Sequence, residues 1–534
     1  MGDKGNKFVK GAAILGIAGV GVKILGALFR IPLTNWIGEE GMAYYGAAYP
    51  VYSLLLIVST AGIPVAISKM VAERVAEKNY GGADRVFKAS IVLMFILGVI
   101  SFGICFFGAD AFSRAVNIPN AALALKTIAP ALFFVPIMSS FRGYFQGLQN
   151  MNPTAISQII EQLCRVIVGL ALAYILLKSS LAEAAAGATF GASAGSIGGF
   201  ALIVAIYFIN RKTIHKKIEK NPSRIEPTGS IIWQILVIAV PITIGAAIFP
   251  IMTNIDTAMI VNRLMDAGYS QGEAEGLFGL MSGFCSSLIG FPQVFTQAVA
   301  VSLVPAISAA HQLGDKQGVQ DNIKLGLRFT LLLAFPCAAG IFALAEPILK
   351  LLFFQQIDSA ISAAPTLMYM AVGIIFLAMV QTLTGALQGI GKQMLPVKNL
   401  AYGAVVKIVL TYILAGTVFF NVNGAAIGTI GAYVVATVFN IRDLKKWTGT
   451  KFDIMITYVK PFAASVAMAL VVFFAYKGFA LISSNAVATL LSVFVGVLVY
   501  GALIIVFKAI TKEDMKSFPK GEKIVGLLDK LHIK

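Results

Sequence analysis

Gly41–Ser68 reads GMAYYGAAYPVYSLLLIVSTAGIPVAIS, a run without one Asp, Glu, Lys or Arg. A helix needs about 20 apolar residues to cross roughly 30 Å of hydrocarbon. Backbone groups in lipid must be satisfied within their own segment, which leaves helices. The run lacks the alternating polar and apolar positions of a membrane barrel strand. It predicts a transmembrane helix. Ala89–Ala109, Ala184–Asn210, Ser230–Ile255, Gly276–Ala310, Ser359–Gly391, Ile408–Ile441 and Gly478–Phe507 are equally free of those four residue types. Ile408–Ile441 holds two crossings split by the turn Asn421-Val422-Asn423-Gly424.

Over all 534 residues, 58% are hydrophobic and 13% charged, the latter about half of the roughly 25% usual in soluble domains. That excludes a soluble multidomain enzyme, a disordered chain and a disulfide scaffold. The four cysteines (Cys105, Cys164, Cys285, Cys337) are dispersed within predicted spans with no CxxC pair, and read as buried free thiols. The fold class is an all-α polytopic membrane protein with about 14 transmembrane helices. The spans are roughly 11–37, 43–68, 87–109, 122–148, 153–177, 184–209, 230–263, 276–309, 323–345, 362–390, 396–420, 423–441, 456–476 and 484–508. Lys4, Lys7 and Lys10 before an apolar run have the shape of a signal peptide. The segment continues through Lys23 and Arg30 without an Ala-x-Ala-like site, so it reads as an uncleaved first span.

Charge sets the expected orientation. Of 42 Lys and Arg, 30 fall at the N-terminus, in the even-numbered loops and in the tail from Lys508; five (Arg114, Lys178, Arg263, Lys350, Lys477) fall on the other side. Basic loops stay cytoplasmic, so both termini are expected inside. The net charge of +17 is mostly this topology signal, not a nucleic-acid footprint.

The halves also resemble each other at a spacing of about 240 residues. Pro64-Val65-Ala66-Ile67-Ser68 echoes Val304-Pro305-Ala306-Ile307-Ser308, and Gly108-Ala109-Asp110 echoes Ala345-Glu346. Arg142-Gly143-Tyr144-Phe145-Gln146-Gly147 echoes Thr384-Gly385-Ala386-Leu387-Gln388-Gly389. Arg165 falls opposite Lys407, and Gly187-Ala188 opposite Gly424-Ala425. Six spans per half give a parallel repeat, two six-helix lobes expected to enclose a cavity and to rock. The expected divisions are an N-terminal lobe 8–210, a linker 211–229, a C-terminal lobe 230–441, two additional helices 456–508 and a basic tail 509–534.

An ionisable side chain at mid-bilayer costs at least about 2.5–3.5 kcal/mol, so such residues usually face a cavity or a partner. Lys23 and Arg30 project from one face of span one. Arg142 has Gln146 and Gln149 at i+4 and i+7, and Glu161 and Arg165 are spaced to pair. Span seven carries Asn254, Asp256 and Arg263, and span eleven Lys407. Six cations against two anions suit an anionic substrate, and the Arg fork matches phosphate, so a diphosphate head group is a natural fit. Asn254 and Asp256 are the candidate ion-coupling pair. Bland alternatives stand beside these roles. Glu161 and Arg165 can be a structural staple, Arg30, Arg142 and Arg263 can snorkel, and Lys407 can fix packing. No His/Cys/Asp cluster has metal spacing, and Gly389-Ile390-Gly391-Lys392 lacks the upstream glycine and the hydroxyl of a nucleotide-binding loop. No cofactor is expected beyond a coupling cation, sodium or proton, and no ATPase or other enzymatic activity.

Phe29-Arg30-Ile31-Pro32 with Ile37-Gly38-Glu39-Glu40-Gly41, Gly62-Ile63-Pro64-Val65-Ala66-Ile67-Ser68-Lys69, Arg142-Gly143-Tyr144-Phe145-Gln146-Gly147, Ile255-Asp256-Thr257 and Gln388-Gly389 carry a resemblance over residues 8–510. The chain resembles the bacterial oligosaccharidyl-lipid flippases of the MOP superfamily, in the polysaccharide biosynthesis and stage V sporulation protein B branch that includes MurJ-like lipid II flippases. The resemblance implies fourteen helices and flipping of an undecaprenyl-diphosphate-linked sugar, lipid II or a related precursor, from the inner to the outer leaflet of the cytoplasmic membrane. It implies Lys23 and Arg30 as diphosphate ligands, Asp256 as a cation site, and as partners the lipid-linked oligosaccharide, membrane lipids and cell-wall synthesis machinery. Relatives of Gram-negative type carry further arginines in spans two and eight, whereas Gly41–Ser68 and Gly276–Ala310 have none. Arg142, Arg165 or Arg263 are the candidate substitutes. The alternatives are a drug/cation antiporter of the same superfamily, which should prefer acidic cavity residues; a membrane-embedded enzyme, for which the loops are short; and a non-transporting envelope-assembly scaffold. Reporter fusions check the orientation: green fluorescent protein joined after Lys220 should fluoresce and alkaline phosphatase joined after Lys178 should be active, and the reverse pattern overturns it.

Overall fold

Gly38 adopts φ 62° and ψ −163° inside the first long helix, α1 (Gly2–Thr60). A positive φ costs glycine nothing and other residues much, so the chain turns there. The computed structural model describes residues 2–219 and 226–509, without the side chains of 2–17, 20, 23, 213–215 and 217. Lys23 therefore lies on α1 with its side chain outside the described ones, and most of the expected tail, 510–534, lies outside the described residues.

Two compact units divide the chain, the first ending at Gly283 and the second starting at Phe284. The first holds α1, α2 (Ile63–Ala76), α3 (Tyr80–Ala115), α4 (Ala121–Ile128), α5 (Ala131–Gly147), α6 (Asn152–Leu176), α7 (Leu181–Glu219), α8 (Thr228–Asp266) and α9 (Gln271–Gly279). The second holds α10 (Ser286–Gln312), α11 (Lys316–Ala343), α12 (Ala345–Leu352), α13 (Ile357–Gly389), α14 (Met394–Ala415), α15 (Asn423–Thr448), α16 (Lys460–Ala480) and α17 (Asn485–Val506). No strand occurs among the described residues. Among the described residues, thirteen helical stretches are long and apolar enough to cross a membrane, the first being the 53 residues Ile24–Ala76. At 1.5 Å per residue, the parts of α1 before and after its break at Gly38 are about 54 and 35 Å long, each enough for one crossing, in keeping with about fourteen.

The helices keep large apolar side chains on the outside. On α3, Phe95, Ile96, Val99, Ile100, Ile104 and Phe107 are 44–79% exposed. A soluble protein rarely exposes such a contiguous face; a lipid-facing helix requires it. The chain is a multi-pass membrane protein. The four cysteines are free, Cys105 and Cys285 buried and Cys164 and Cys337 half-buried.

The boundary differs from the expected 211–229, because α8 packs within the first unit. Gly62 leaves room for the backbone of Ala239, which a Cβ would overlap, and its N–H donates to Thr243 Oγ1 at 3.2 Å. Asn254 Nδ2 donates to the carbonyl of Pro50 at 2.8 Å. Expected lobe 230–441 thus gives up its first helix to the other unit. Composition marks where a loop runs, and side-chain fit decides which neighbours the next helix takes.

The internal repeat recurs as packing. In each unit the most extensively packed helix pair is the corresponding one, α6 with α7 and α14 with α15. Gly187 rests on Leu172 and Ala173, and Gly424 on Leu414 and Ala415. Gly191 rests on the carbonyl of Arg165 and on Gly169, and Gly428 on the carbonyl of Lys407 and on Thr411. Arg165 and Lys407 therefore occupy the same register, as their alignment predicts. Two echoes fare differently. Gly143 meets Pro64 and Ile67 while Gly385 meets Ala300, so the Pro64/Pro305 match is out of register by about one helical turn. Asp110 lies inside α3, whereas Glu346 opens the separate α12, so those two segments are not equivalent. Gly191→Val and Gly428→Val should each destabilise their unit by about 1–3 kcal/mol, the usual cost of overpacking, read as lower thermal stability of the purified protein; unchanged melting contradicts this register.

Candidate functional site

Tyr45, Tyr49 and Tyr52 follow one another at i, i+4 and i+7, so they share one face of α1 beyond its break. The rings of Tyr45 and Tyr49 stack at 5.7 Å and 14°, and Tyr52 follows Tyr49 at 5.7 Å. The break at Gly38 folds the earlier part of α1 back, which brings Phe29 to 6.2 Å from Tyr45 and the guanidinium of Arg30 to 5.9 Å from the Tyr45 ring. Phe29, Tyr45 and Tyr52 are all buried.

Arg165 reaches this ladder from α6. Its Nη1 donates to Tyr49 Oη and its Nη2 to Tyr45 Oη, both at 3.2 Å. Its guanidinium lies 5.1 Å from the Tyr49 ring and 5.9 Å from the Phe29 ring, within the range of cation–π attraction. The α6 backbone sits against Gly191 of α7 at this point, which fixes the depth from which Arg165 extends.

One turn earlier Glu161 makes a different pair from the expected one. Its Oε2 lies 2.8 Å from Arg142 Nη2, and Arg142 Nε donates to Ser157 Oγ at 3.0 Å. Ser157 in turn donates to the carbonyl of Thr154. Glu161 is thus the partner of Arg142 on α5, not of Arg165 on its own helix: interhelical approach, invisible in one-dimensional spacing, decides the pair. Gln146 donates to Thr154 Oγ1 at 3.4 Å, but Gln149 lies past the end of α5 with φ 58° and leaves the face expected for it.

Span seven divides its candidates. Asn254 donates to the carbonyls of Pro50 and Pro250, both at 2.8 Å, a clamp between α8 and α1. Asp256 is half-buried with one carboxylate oxygen shielded from solvent. Residues two apart leave a helix about 200° apart, so Asn254 and Asp256 project to nearly opposite sides. Arg263 lies in the last turn of α8, ion-paired with Asp266 at 2.7 Å, about 13 Å along the helix from Asn254. Lys407 is buried on α14 in the second unit, 4% exposed, with its carbonyl against Gly428; about 12 Å earlier along the helix, Asn399 donates to Asn440 and Asp443 at 2.9 and 2.8 Å.

Of the three arginines expected to substitute for arginines in spans two and eight, Arg142 and Arg263 are each paired with a carboxylate. Arg165 is the one set on the tyrosines of Gly41–Ser68. Among the described residues, neither Arg30 nor Arg165 has a carboxylate within ion-pair distance. Tyr45, Tyr49, Tyr52 and Phe29 were not among the residues expected from the sequence. The signal was present, three tyrosines at helical spacing in a charge-free span, but aromatic stripes in membrane helices are ordinary. No His/Cys/Asp/Glu group suited to a metal ion occurs among the described residues.

The fold and site define a helical multi-pass membrane protein with a repeated packing unit and a cationic, tyrosine-lined cluster, and comparison with known proteins gives the family. Residues 8–311 match the family model for polysaccharide biosynthesis protein, and residues 281–413 match MatE. The chain belongs to the polysaccharide biosynthesis protein family. It is 27% identical over 469 residues to the lipid II flippase MurJ of Bacillus subtilis (strain 168), covering 84% of this chain and 85% of that protein. It is also 27% identical over 527 residues to stage V sporulation protein B of the same organism, covering 98% of each. Among solved structures, an inward-facing multidrug resistance MATE family transporter of the MOP superfamily aligns at TM-score 0.67 and 17% identity, over 81% of this chain and 99% of that one. The inward closed lipid II flippase MurJ aligns at 0.64 and 17%, over 93% and 98%. These two likenesses concern the fold.

Breaking the Arg142–Glu161 pair tests its structural share. Glu161→Gln leaves a guanidinium without its counter-charge and should cost about 1–3 kcal/mol, less than the roughly 3–5 kcal/mol of a fully buried pair because both side chains keep some exposure. The double variant Arg142→Met/Glu161→Met should recover most of that loss. Equal stability of Glu161→Gln and wild type would show the pair to be dispensable.

Proposed function

We propose that this chain moves an undecaprenyl-diphosphate-linked sugar from the inner to the outer leaflet of the bacterial cytoplasmic membrane by alternating access, with lipid II for peptidoglycan as the leading cargo. The observation that carries the reading is the state of Arg30 and Arg165: two guanidiniums set among apolar and aromatic side chains with no carboxylate counter-charge among the described residues. Charge held in such surroundings is costly and marks a substrate path. A diphosphate supplies the missing negative charge and accepts the planar fork of an arginine. Lys23, on the same helix as Arg30, and Arg263 and Lys407 are the further candidate ligands. Both termini are cytoplasmic, and Asp256 is the candidate group for a coupling sodium ion or proton. Cell-wall synthesis enzymes supply the cargo on one side and consume it on the other.

The polyprenyl tail needs an apolar path. In the second unit a cavity of about 500 Å³ lies among α10, α11, α16 and α17, lined by residues including Phe291, Phe295, Leu332, Met468, Val497 and Tyr500. Its lining is suited to hydrocarbon and supports a role for the last two helices in accommodating the tail.

The second reading, a drug/cation antiporter, is favoured by the MatE match over 281–413. An exporter of cations should hold unneutralised carboxylates. Among the described residues of the first unit, Glu40 and the buried Glu275 are bonded by Tyr44 and Gln271 and not by a cation, whereas the tyrosine ladder carries guanidiniums without a carboxylate. An envelope scaffold that moves nothing is separated by the same experiment. In a strain that depends on this protein, Lys23→Glu/Arg30→Glu should abolish outward exposure of lipid II and let it accumulate on the inner leaflet. Normal exposure and growth, with the variant folded and present at wild-type level, overturns the role of span one.

A further inference from the structure

Each tyrosine hydroxyl has one proton and an oxygen that accepts. At Tyr45 and Tyr49 the oxygen accepts from Arg165, so neither O–H can point back at the guanidinium. Among the described residues neither hydroxyl has an acceptor for its own proton, although Tyr45 is only 2% exposed. Arg165 Nε is likewise buried without a partner. Two phenol protons, on the buried Tyr45 and the half-buried Tyr49, and the Arg165 Nε–H thus have no acceptor among the described residues, and a buried donor left unmet costs about 1–3 kcal/mol. The stacking of the two rings at 5.7 Å holds the hydroxyls as a pair. Arg30, against the Tyr45 ring, adds a second positive charge.

We propose that Tyr45 and Tyr49 are specificity-determining ligands for the diphosphate of the cargo, and that Arg165 positions them by taking their oxygens as acceptors. The inference rests on the flippase reading and goes further, because it states how the site tells a diphosphate from the phosphodiesters of the surrounding membrane. A diphosphate esterified at both ends carries two negative charges and four non-bridging oxygens, and undecaprenyl diphosphate, esterified at one end only, carries at least as many of each. A phospholipid diester carries one charge and two such oxygens. Arg30 and Arg165 match the first in charge. The phenols add donors without adding charge, so they strengthen the hold on an oxygen-rich anion without increasing the pull on any singly charged head group. A third arginine in place of the tyrosines would draw in both.

The test uses the full-length purified chain and native mass spectrometry, with undecaprenyl diphosphate and phosphatidylglycerol as probes. Tyr45→Phe and Tyr49→Phe keep the rings, their stacking and the cation–π contacts, and remove only the hydroxyls. Each should weaken undecaprenyl diphosphate binding by about tenfold, the effect expected for a hydrogen bond to a charged group, and leave phosphatidylglycerol binding within about twofold. Equal losses for both lipids, or no loss for either, overturn the specificity role even where wild type binds the diphosphate well. Failure of wild type to bind undecaprenyl diphosphate overturns the functional reading itself and this inference with it. Where a phenylalanine variant melts at a lower temperature, Arg165→Lys provides the second arm. A point charge cannot hold both hydroxyls as the fork does, so it too should reduce the preference for diphosphate over diester.

Discussion

A guanidinium that cannot lose its proton has to be stabilised where it stands, and in the first unit Arg165 is stabilised by phenols and aromatic faces in place of a carboxylate. Most of the site follows from that arrangement. Tyrosine oxygens and ring quadrupoles offset part of the cost of holding a cation away from water, but they leave its charge uncancelled. The neighbouring Arg142 shows the other solution: Glu161 cancels its charge at 2.8 Å. Two arginines on adjacent helices thus differ in what they offer a ligand. One is closed by its partner, and the other presents a net positive charge framed by hydroxyl donors.

The scaffold that keeps Arg165 in place is built on small residues. Gly187 and Gly191 let α7 lie directly on α6 beside Arg165, and Gly424 and Gly428 do the same for α15 on α14 beside Lys407. Close backbone approach through glycine is how membrane helices gain packing without a hydrophobic driving force between them. The repeat therefore conserves a contact geometry within this one chain while its chemistry diverges. A guanidinium on a tyrosine ladder occupies the register in one unit, and a buried lysine occupies it in the other.

Proline and glycine also explain how α8 joins the first unit. Its carbonyl at Pro250 shares the Asn254 amide with Pro50 of α1, and Gly62 admits the Ala239 backbone. Asn254 is read from the sequence as an ion ligand, yet both its recorded donor contacts go to backbone carbonyls. An intramembrane polar residue can serve the fold and the function from one position, and helix geometry alone cannot rank the two.

The helical class, the approximate number of crossings and the existence of a repeat were legible in the sequence, because each is imposed by a local requirement: backbone groups in lipid must bond within their own segment, and a crossing needs a fixed length of apolar residues. The cationic surplus was legible for the same reason, since charged residues are rare in such spans and stand out. Which cation keeps its charge was not. Glu161 is spaced to meet Arg165 and instead meets Arg142, Tyr45 and Tyr49 are unremarkable aromatics until Arg165 lands on them, and the unit boundary falls at Gly283 and not in the basic linker. These outcomes depend on distances between helices set by glycines and prolines far apart in the chain, and spacing along one helix carries no information about them.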